Sequence, residues 1–152
     1  MKVDEGKIQL KNGYQVWYRR VGSGDEIPLL TLHGGPGSGH DYLEPLEKLA
    51  EDRPVILYDQ LGCGKSDQPD DRSLWRMERF VLELDEVREA LDLQEVHLFG
   101  QSSGGMLAID YMLTQPQGVA SLVLADSCAS MPQLEQEVKR LKSELPDETI
   151  AT

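Results

Sequence analysis

The sequence predicts an α/β fold with a mostly parallel sheet and an antiparallel hairpin at its N-terminus. Short apolar runs alternate with longer helical patterns, which is typical of a parallel sheet covered by helices on both faces. These runs are Pro28–Leu32, Pro54–Tyr58, Val96–Phe99 and Val119–Ala125. The hairpin is indicated by Asn12-Gly13, a pair that favours the tightest two-residue turns.

The remaining elements follow from local patterns taken in chain order. The hairpin strands are predicted at Lys7–Leu10 and Gln15–Val21. Helices are predicted at Tyr42–Glu51, Leu74–Leu91 and Gly104–Leu113. The second helix places apolar residues on one face at helical spacing: Met77, Phe80, Val81, Leu84, Val87 and Leu91.

Charge and composition exclude several classes of partner. The 152 residues carry a formal net charge of -12, which argues against nucleic acid and against an anionic membrane surface. No apolar run approaches the roughly 18 residues of a membrane span, and the segment Met1–Lys7 lacks the apolar core of a signal peptide. Two cysteines, Cys63 and Cys128, suit a reducing compartment. These features predict a cytoplasmic protein.

The most informative segment is Gly100-Gln101-Ser102-Ser103-Gly104, a G-x-S-x-G pattern between a strand-like and a helix-like run. In that context the pattern predicts a sharp strand–turn–helix elbow that exposes the Ser102 hydroxyl as a nucleophile. Gly100 and Gly104 would let the strand and the helix approach closely, because neither has a Cβ atom.

A nucleophilic serine needs backbone donors for the oxyanion that forms during acyl transfer. The N–H of Ser103 follows the nucleophile and is one predicted donor. The second is predicted at Gly35, within His33-Gly34-Gly35-Pro36-Gly37, although an ordinary tight turn is the alternative. The loops that begin near His33, Asp59 and Gly100 each follow a predicted strand, so we expect them to converge at one sheet edge.

An elbow serine also needs a histidine base, which in this architecture follows the serine in the chain. The three histidines, His33, His40 and His97, all precede Ser102. We predict that His33 binds loop backbone, that His97 is packed and hydrogen-bonded, and that His40 lies at the surface. No spacing of ligand residues suggests zinc and no nucleotide motif follows a strand, so no metal and no cofactor are predicted.

Three blocks together resemble the proline iminopeptidases (prolyl aminopeptidases), which are serine peptidases of the α/β-hydrolase fold. The blocks are the His33–Gly37 loop, the segment Tyr58-Asp59-Gln60-Leu61-Gly62-Cys63-Gly64-Lys65-Ser66-Asp67, and the elbow. The resemblance implies that Ser102 is the nucleophile and that Gly35 and Ser103 form the oxyanion hole. It also implies that the region of Gly34 and Gln101 lines the acyl pocket. It extends only to the N-terminal half of the family's pattern, before its triad Asp and His and most of its cap. Ser103 stands where many members carry a bulky aromatic residue.

The predicted organisation is a hydrolase core over residues 1–130 and the start of a cap over residues 131–152. An amphipathic helix is predicted there from five apolar residues: Met131, Leu134, Val138, Leu141 and Leu145. The alternative is a helix packed on its own domain.

The resemblance implies release of an N-terminal residue, often proline, from short peptides with a free N-terminus. This chain alone is predicted to be inactive. The alternatives are an esterase or amidase of the same fold, or a non-catalytic fragment or one chain of a split hydrolase. Partners are predicted at the sheet edge Val119–Ala125: a C-terminal half or a second copy.

Overall fold

A six-stranded mixed sheet organises the chain in the computed structural model, which describes residues 1–146. Its order is β1-β2-β4-β3-β5-β6. The strands are β1 (Val3–Gln9), β2 (Gln15–Val21), β3 (Leu29–Leu32), β4 (Val55–Tyr58), β5 (Val96–Gln101) and β6 (Val119–Ala125). β1, β2 and β4 pair antiparallel, whereas β4, β3, β5 and β6 pair parallel, as predicted.

The hairpin forms at the predicted turn but is longer than the apolar pattern indicated. β1 begins at Val3, four residues before the predicted Lys7. Its first residues are mostly exposed, so the sequence there shows no strong alternation of apolar and polar residues. They belong to the strand because they pair with β2 in the register that begins at Val3↔Val21. The turn at Asn12-Gly13 is closed by the Gly13 N–H, which donates to Leu10 O.

The helices are α1 (Met77–Ala90), α2 (Ser103–Leu113) and α3 (Met131–Ser143), with 3-10 helices at Asp41–Glu51 and Arg72–Leu74. α1 buries Leu84 and Val87 and packs its other predicted apolar residues against the main core. None of the helices in residues 1–146 is long and apolar enough to cross a membrane.

β6 and α3 both leave apolar residues exposed, although Val119 and Leu122 of β6 pack against the core. Within residues 1–146, β6 pairs with β5 alone, and its Val123 and Leu124 are each 46% exposed, so the strand is not buried as its apolar composition indicated. α3 buries no residue, and its apolar residues Leu134 and Val138 are 41% and 40% exposed. This exposure does not support the alternative of a helix packed on its own domain. Cap membership stays a prediction, and residues 147–152 of the predicted cap lie outside the described range.

Candidate active site

Ser102 lies at a sharp turn between β5 and α2. Its φ of 53° and ψ of -120° are backbone values that residues with a side chain rarely adopt. Strain of this kind costs on the order of 1–3 kcal/mol and persists where surrounding contacts enforce it. Here the Ser102 N–H donates to Ala125 O at 2.9 Å, and Ser127 Oγ donates to Ser102 O at 2.9 Å. The end of β6 therefore holds the elbow in place.

The glycines around the elbow are required by close backbone contacts. A Cβ on Gly104 would lie 2.2 Å from Leu32 O, and one on Gly100 would lie 2.6 Å from Gly104 O. Gly105 is similarly tight against the Ser127 side chain. α2 can thus start directly above β3 and β5, which brings its N-terminus to Ser102.

Two backbone N–H groups stand near Ser102 at the same sheet edge. Ser103 opens α2, and the first turn of a helix has N–H groups without an intrahelical acceptor. Gly35 has φ of +129°, and a Cβ there would meet Gly37 N at 2.6 Å, so glycine is required. Gly35, Ser102 and Ser103 all line one cavity. This placement is compatible with the oxyanion role expected from the sequence.

Gly34 and Gln101 lie beside this cavity but do not line it in the described part of the chain. They meet at the Tyr42 hydroxyl, which accepts the Gly34 N–H at 2.5 Å and donates to Gln101 Oε1 at 2.7 Å. A Cβ on Gly34 would lie 2.9 Å from Ser102 Cβ. Both residues therefore support the elbow from the side. The resemblance had implied that they line the acyl pocket. Tyr42 was missed because only the fold brings it to the elbow.

The three histidines make their contacts away from Ser102. The His33 ring contacts Gly34 O through Nδ1 and accepts the Gln60 N–H through Nε2, as its predicted backbone role requires. Burial lowers the pKa of His33, which keeps the ring neutral. His97 Nδ1 is 2.7 Å from Ser121 Oγ, in agreement with its predicted hydrogen bonding.

The predicted surface position of His40 was wrong. Predicted at the surface, it is 1% exposed, with Nδ1 2.9 Å from Asp59 Oδ1. Its backbone N–H also donates to Asp59, and its ring packs on Trp17. Polar neighbours in the sequence concealed this burial, because the contacts that produce it are distant in the chain.

The cavity has a volume of about 970 Å³ and mostly apolar walls. All three glycine-rich loops contribute residues to the cavity, in agreement with the prediction that they converge at one sheet edge. Among the described residues that line it, only Arg76 and Asp126 are charged. Large apolar side chains that the sequence analysis did not assign to the site complete its walls, among them Trp75, Phe80, Met106 and Leu134. Asp126 was also missed, although an acidic residue directly after a parallel strand was a usable signal.

Cys63 also lines the cavity and is a second conceivable nucleophile. Burial raises the pKa of its thiol, so the reactive thiolate is disfavoured. Ser102 is thus the better candidate.

Comparison with known proteins agrees with this geometry. The family model for the alpha/beta hydrolase fold matches residues 27–151. The chain belongs to the alpha/beta hydrolase fold family. A relative named proline iminopeptidase, from Heyndrickxia coagulans, is 50% identical over 142 residues, which cover 93% of this chain and 49% of that protein. The resemblance found in the sequence is thereby confirmed.

Solved structures of this hydrolase fold extend the comparison. VinJ has a TM-score of 0.90 and 38% identity, covering 95% of this chain and 51% of its own. Proline iminopeptidase from Mycobacterium smegmatis has a TM-score of 0.88 and 34% identity, covering 96% of this chain and 51% of its own. The chain spans about half the length of the curated relatives it matches.

Proposed function

We propose that this chain supplies the nucleophile and oxyanion hole of a serine aminopeptidase that releases N-terminal residues, often proline, from short peptides. The observation that carries the proposal is the strained Ser102 elbow, which opens with Gly35 and Ser103 onto one apolar cavity. The relatives named proline iminopeptidase support the choice of substrate class.

In the proposed reaction, Ser102 Oγ attacks the carbonyl carbon of the first peptide bond while a base takes its proton. The N–H groups of Gly35 and Ser103 donate to the oxyanion of the tetrahedral intermediate. The C–N bond then breaks, the amine leaves with a proton, and an acyl-enzyme remains on Ser102. Water hydrolyses that ester to release the N-terminal residue and restore the hydroxyl.

None of the three histidines is placed to act as the base. His33 and His97 use ring nitrogens for contacts away from Ser102, and His40 is held by Asp59. We therefore propose that the active species contains a further polypeptide that supplies a histidine and its orienting carboxylate. Without it, the serine hydroxyl stays protonated and weakly nucleophilic.

The uncovered surface formed by β6 and α3 is the proposed docking place for that polypeptide. β6 exposes Val123 and Leu124, and an unpaired strand edge can accept another strand. α3 exposes an apolar stripe whose first members, Met131 and Leu134, also line the cavity. The relatives contain about as many residues again as this chain covers, which is enough polypeptide to cover both elements. A second copy of the chain is the competing occupant.

Asp126 gives a physical reason to favour a substrate with a free amino terminus. It is the one carboxylate among the described residues that line the cavity, and it directly follows β6. Apart from Asp126 and Arg76 the described walls carry no charge, and a carboxylate among them favours an ammonium group over a neutral, blocked amine. The apolar walls suit a compact side chain such as the proline ring.

A chimera tests the proposal. The chain is joined to the remaining residues of the Heyndrickxia coagulans relative and assayed on a proline arylamide with a free or a blocked amine. We expect faster turnover of the free substrate. We also expect labelling by a fluorophosphonate probe that is lost in Ser102→Ala and kept in the control Ser23→Ala, which alters an exposed turn. Equal rates on both arylamides would reject the aminopeptidase and leave an esterase or amidase, which a short-chain ester would reveal. Labelling that persists in Ser102→Ala would reject Ser102 as the nucleophile.

The compartment is proposed on separate grounds. Cys63 and Cys128 are both free thiols. Free thiols, one of them lining the proposed site, favour a reducing compartment such as the cytoplasm.

A further inference from the structure

We propose that His40, Asp41 and Glu44 form a binding site for a divalent transition-metal ion of the Zn²⁺ class. The three residues lie at the start of the 3-10 helix Asp41–Glu51, beside the loop that follows β3. One ligand atom from each residue lies within 4.8 Å of the other two. None of the three residues takes part in the proposed peptidase reaction.

The His40 imidazole is the decisive group. Its side chain is 2% exposed, and its Nε2 atom has no hydrogen-bond partner among residues 1–146. A buried polar atom without a partner is costly, so the molecule gains free energy if a ligand satisfies it. Nε2 points toward the two carboxylates, at 3.5 Å from Asp41 Oδ1 and 3.9 Å from Glu44 Oε1.

The tautomer of His40 favours a cation at this point. Nδ1 lies 2.9 Å from Asp59 Oδ1, and a carboxylate can only accept, so Nδ1 carries the proton. Nε2 then presents its lone pair to two carboxylates that also carry lone pairs. A metal ion between them would accept the Nε2 lone pair and offset the negative charge of the two carboxylates. A carboxylate behind a metal-binding histidine is also a recurrent feature, because it fixes the ring and raises its basicity.

Distances and access suit a metal ion. Ligands at about 2.1 Å from tetrahedral zinc lie about 3.4 Å from one another, close to the separations of Nε2 from the two carboxylates. The Asp41 and Glu44 side chains are 84% and 56% exposed, so they can adjust and let water complete the coordination shell. One imidazole nitrogen with two carboxylates favours Zn²⁺ over Mg²⁺ or Ca²⁺, which prefer oxygen ligands alone.

The position of the site predicts what binding does. Asp41 directly precedes Tyr42, whose hydroxyl contacts both Gly34 and Gln101. Asp59, behind His40, precedes Gln60 on the cavity wall. A bound ion would therefore hold together the segments that support the Ser102 elbow, and it would stabilise the folded chain by mass action.

The binding experiment uses Zn²⁺ with the purified chain, followed by titration calorimetry and thermal unfolding at neutral pH. We expect one saturable site and a rise in the unfolding temperature. The double variant Asp41→Asn/Glu44→Gln should lose affinity by about tenfold or more, and both substitutions are at exposed positions. Glu51→Gln, on the exposed last turn of the same helix, is the matched control and should bind like the parent. Absence of saturable binding, or equal affinity in the double variant and the control, overturns the proposal.

A second measurement identifies which histidine binds the ion. The chain has three histidines, so nitrogen NMR of its labelled imidazoles gives a simple spectrum. Zn²⁺ should shift the Nε2 resonance of His40 and leave those of His33 and His97 in place. Zn²⁺ that shifts His97 alone, or no imidazole, overturns the assignment even if calorimetry shows binding.

Discussion

The Tyr42 hydroxyl donates a 2.7 Å hydrogen bond to Gln101 Oε1, which joins the 3-10 helix to the residue before Ser102. The same hydroxyl accepts the Gly34 N–H, so one side chain ties the glycine-rich loop to the elbow. Gly34 sits against Ser102 Cβ, and Gly35 follows it in the chain. The spacing between the proposed nucleophile and its proposed oxyanion donor therefore depends on a residue outside both motifs.

Replacing Tyr42 by Phe tests this link. The variant leaves the Gly34 N–H and the Gln101 side chain without their shared partner, and a hydrogen bond of this kind is worth about 0.5–1.5 kcal/mol. Tyr42 is 46% exposed, so water can replace part of the loss, and we expect the lower half of that range. Urea unfolding measures it. Tyr14→Phe is the control, because the Tyr14 hydroxyl makes no hydrogen bond within residues 1–146; equal effects in both variants would contradict the link.

The neutral state of His33 predicts a pH dependence of stability. Burial lowers its pKa in the folded chain, whereas in the unfolded chain the ring binds a proton near pH 6.5. Between those two pKa values the unfolded state holds more protons, so the free energy of unfolding falls as the pH drops below about 6.5. Above that pH the ring is neutral in both states and its contribution is constant.

Urea unfolding over a pH series checks this dependence. It should persist in His97→Gln, which replaces the imidazole on β5 but leaves His33 in place. An NMR titration in which His33 takes up its proton above the ordinary histidine pKa would refute the assignment.

The sequence was sufficient to predict features that are determined by residues close together in the chain. The elbow at Ser102, the hairpin turn at Asn12-Gly13 and the amphipathic α1 are set by residues within one element, so their patterns could be read directly. The edge position of β6 could also be anticipated, although its apolar composition alone suggested a buried strand.

Contacts between distant segments could not be predicted in the same way. His40 is buried because Asp59 and Trp17 reach it from other parts of the chain, and no periodicity marks that event. The contacts of Tyr42 also leave no pattern in the sequence, because they form only when the fold brings Gly34 and Gln101 together. The uncovered α3 shows the converse: an apolar stripe predicts that a helix needs a partner, but it does not say which polypeptide supplies one.

Gly104 should tolerate no side chain. An alanine Cβ would lie 2.2 Å from Leu32 O and 2.6 Å from His33 O, and both atoms are backbone. Overpacking of this kind typically costs about 1–3 kcal/mol, and we expect Gly104→Ala at the upper end because backbone cannot move aside. Gly39→Ala is the matched control, since its Cβ would meet nothing closer than 3.4 Å. Denaturant midpoints compare them, and a Gly104→Ala chain as stable as Gly39→Ala would show that α2 can shift away from β3.

The uncovered surface of β6 should make the isolated chain self-associate. Val123 and Leu124 flank an unpaired edge, and such edges pair with other strands unless charges block them. Leu124→Lys should therefore increase the monomer fraction in sedimentation and light scattering. Leu82→Lys, at a residue 60% exposed on α1, should leave association unchanged. A monodisperse parent monomer with a cooperative, high-temperature melt would contradict the prediction.

The final prediction concerns activity and its restoration by a second chain. The pure chain should not hydrolyse a proline arylamide, because none of its three histidines follows Ser102 and none has a ring nitrogen directed to it in the described structure. Robust hydrolysis that Ser102→Ala abolishes would force His33 or His97 into the role of base.

A separate polypeptide covering the second half of a proline iminopeptidase should bind the β6 edge and restore turnover. Leu124→Lys should weaken this association, whereas Gly35→Pro should leave it intact. Gly35→Pro removes the proposed oxyanion N–H and cannot adopt φ of +129°, so turnover in the complex should fall by at least about 10²–10³. Full turnover in that variant would show that Gly35 does not supply the oxyanion donor. If no second half associates, the inactive fragment becomes the better description, because Ser102 would then have an oxyanion site and no base.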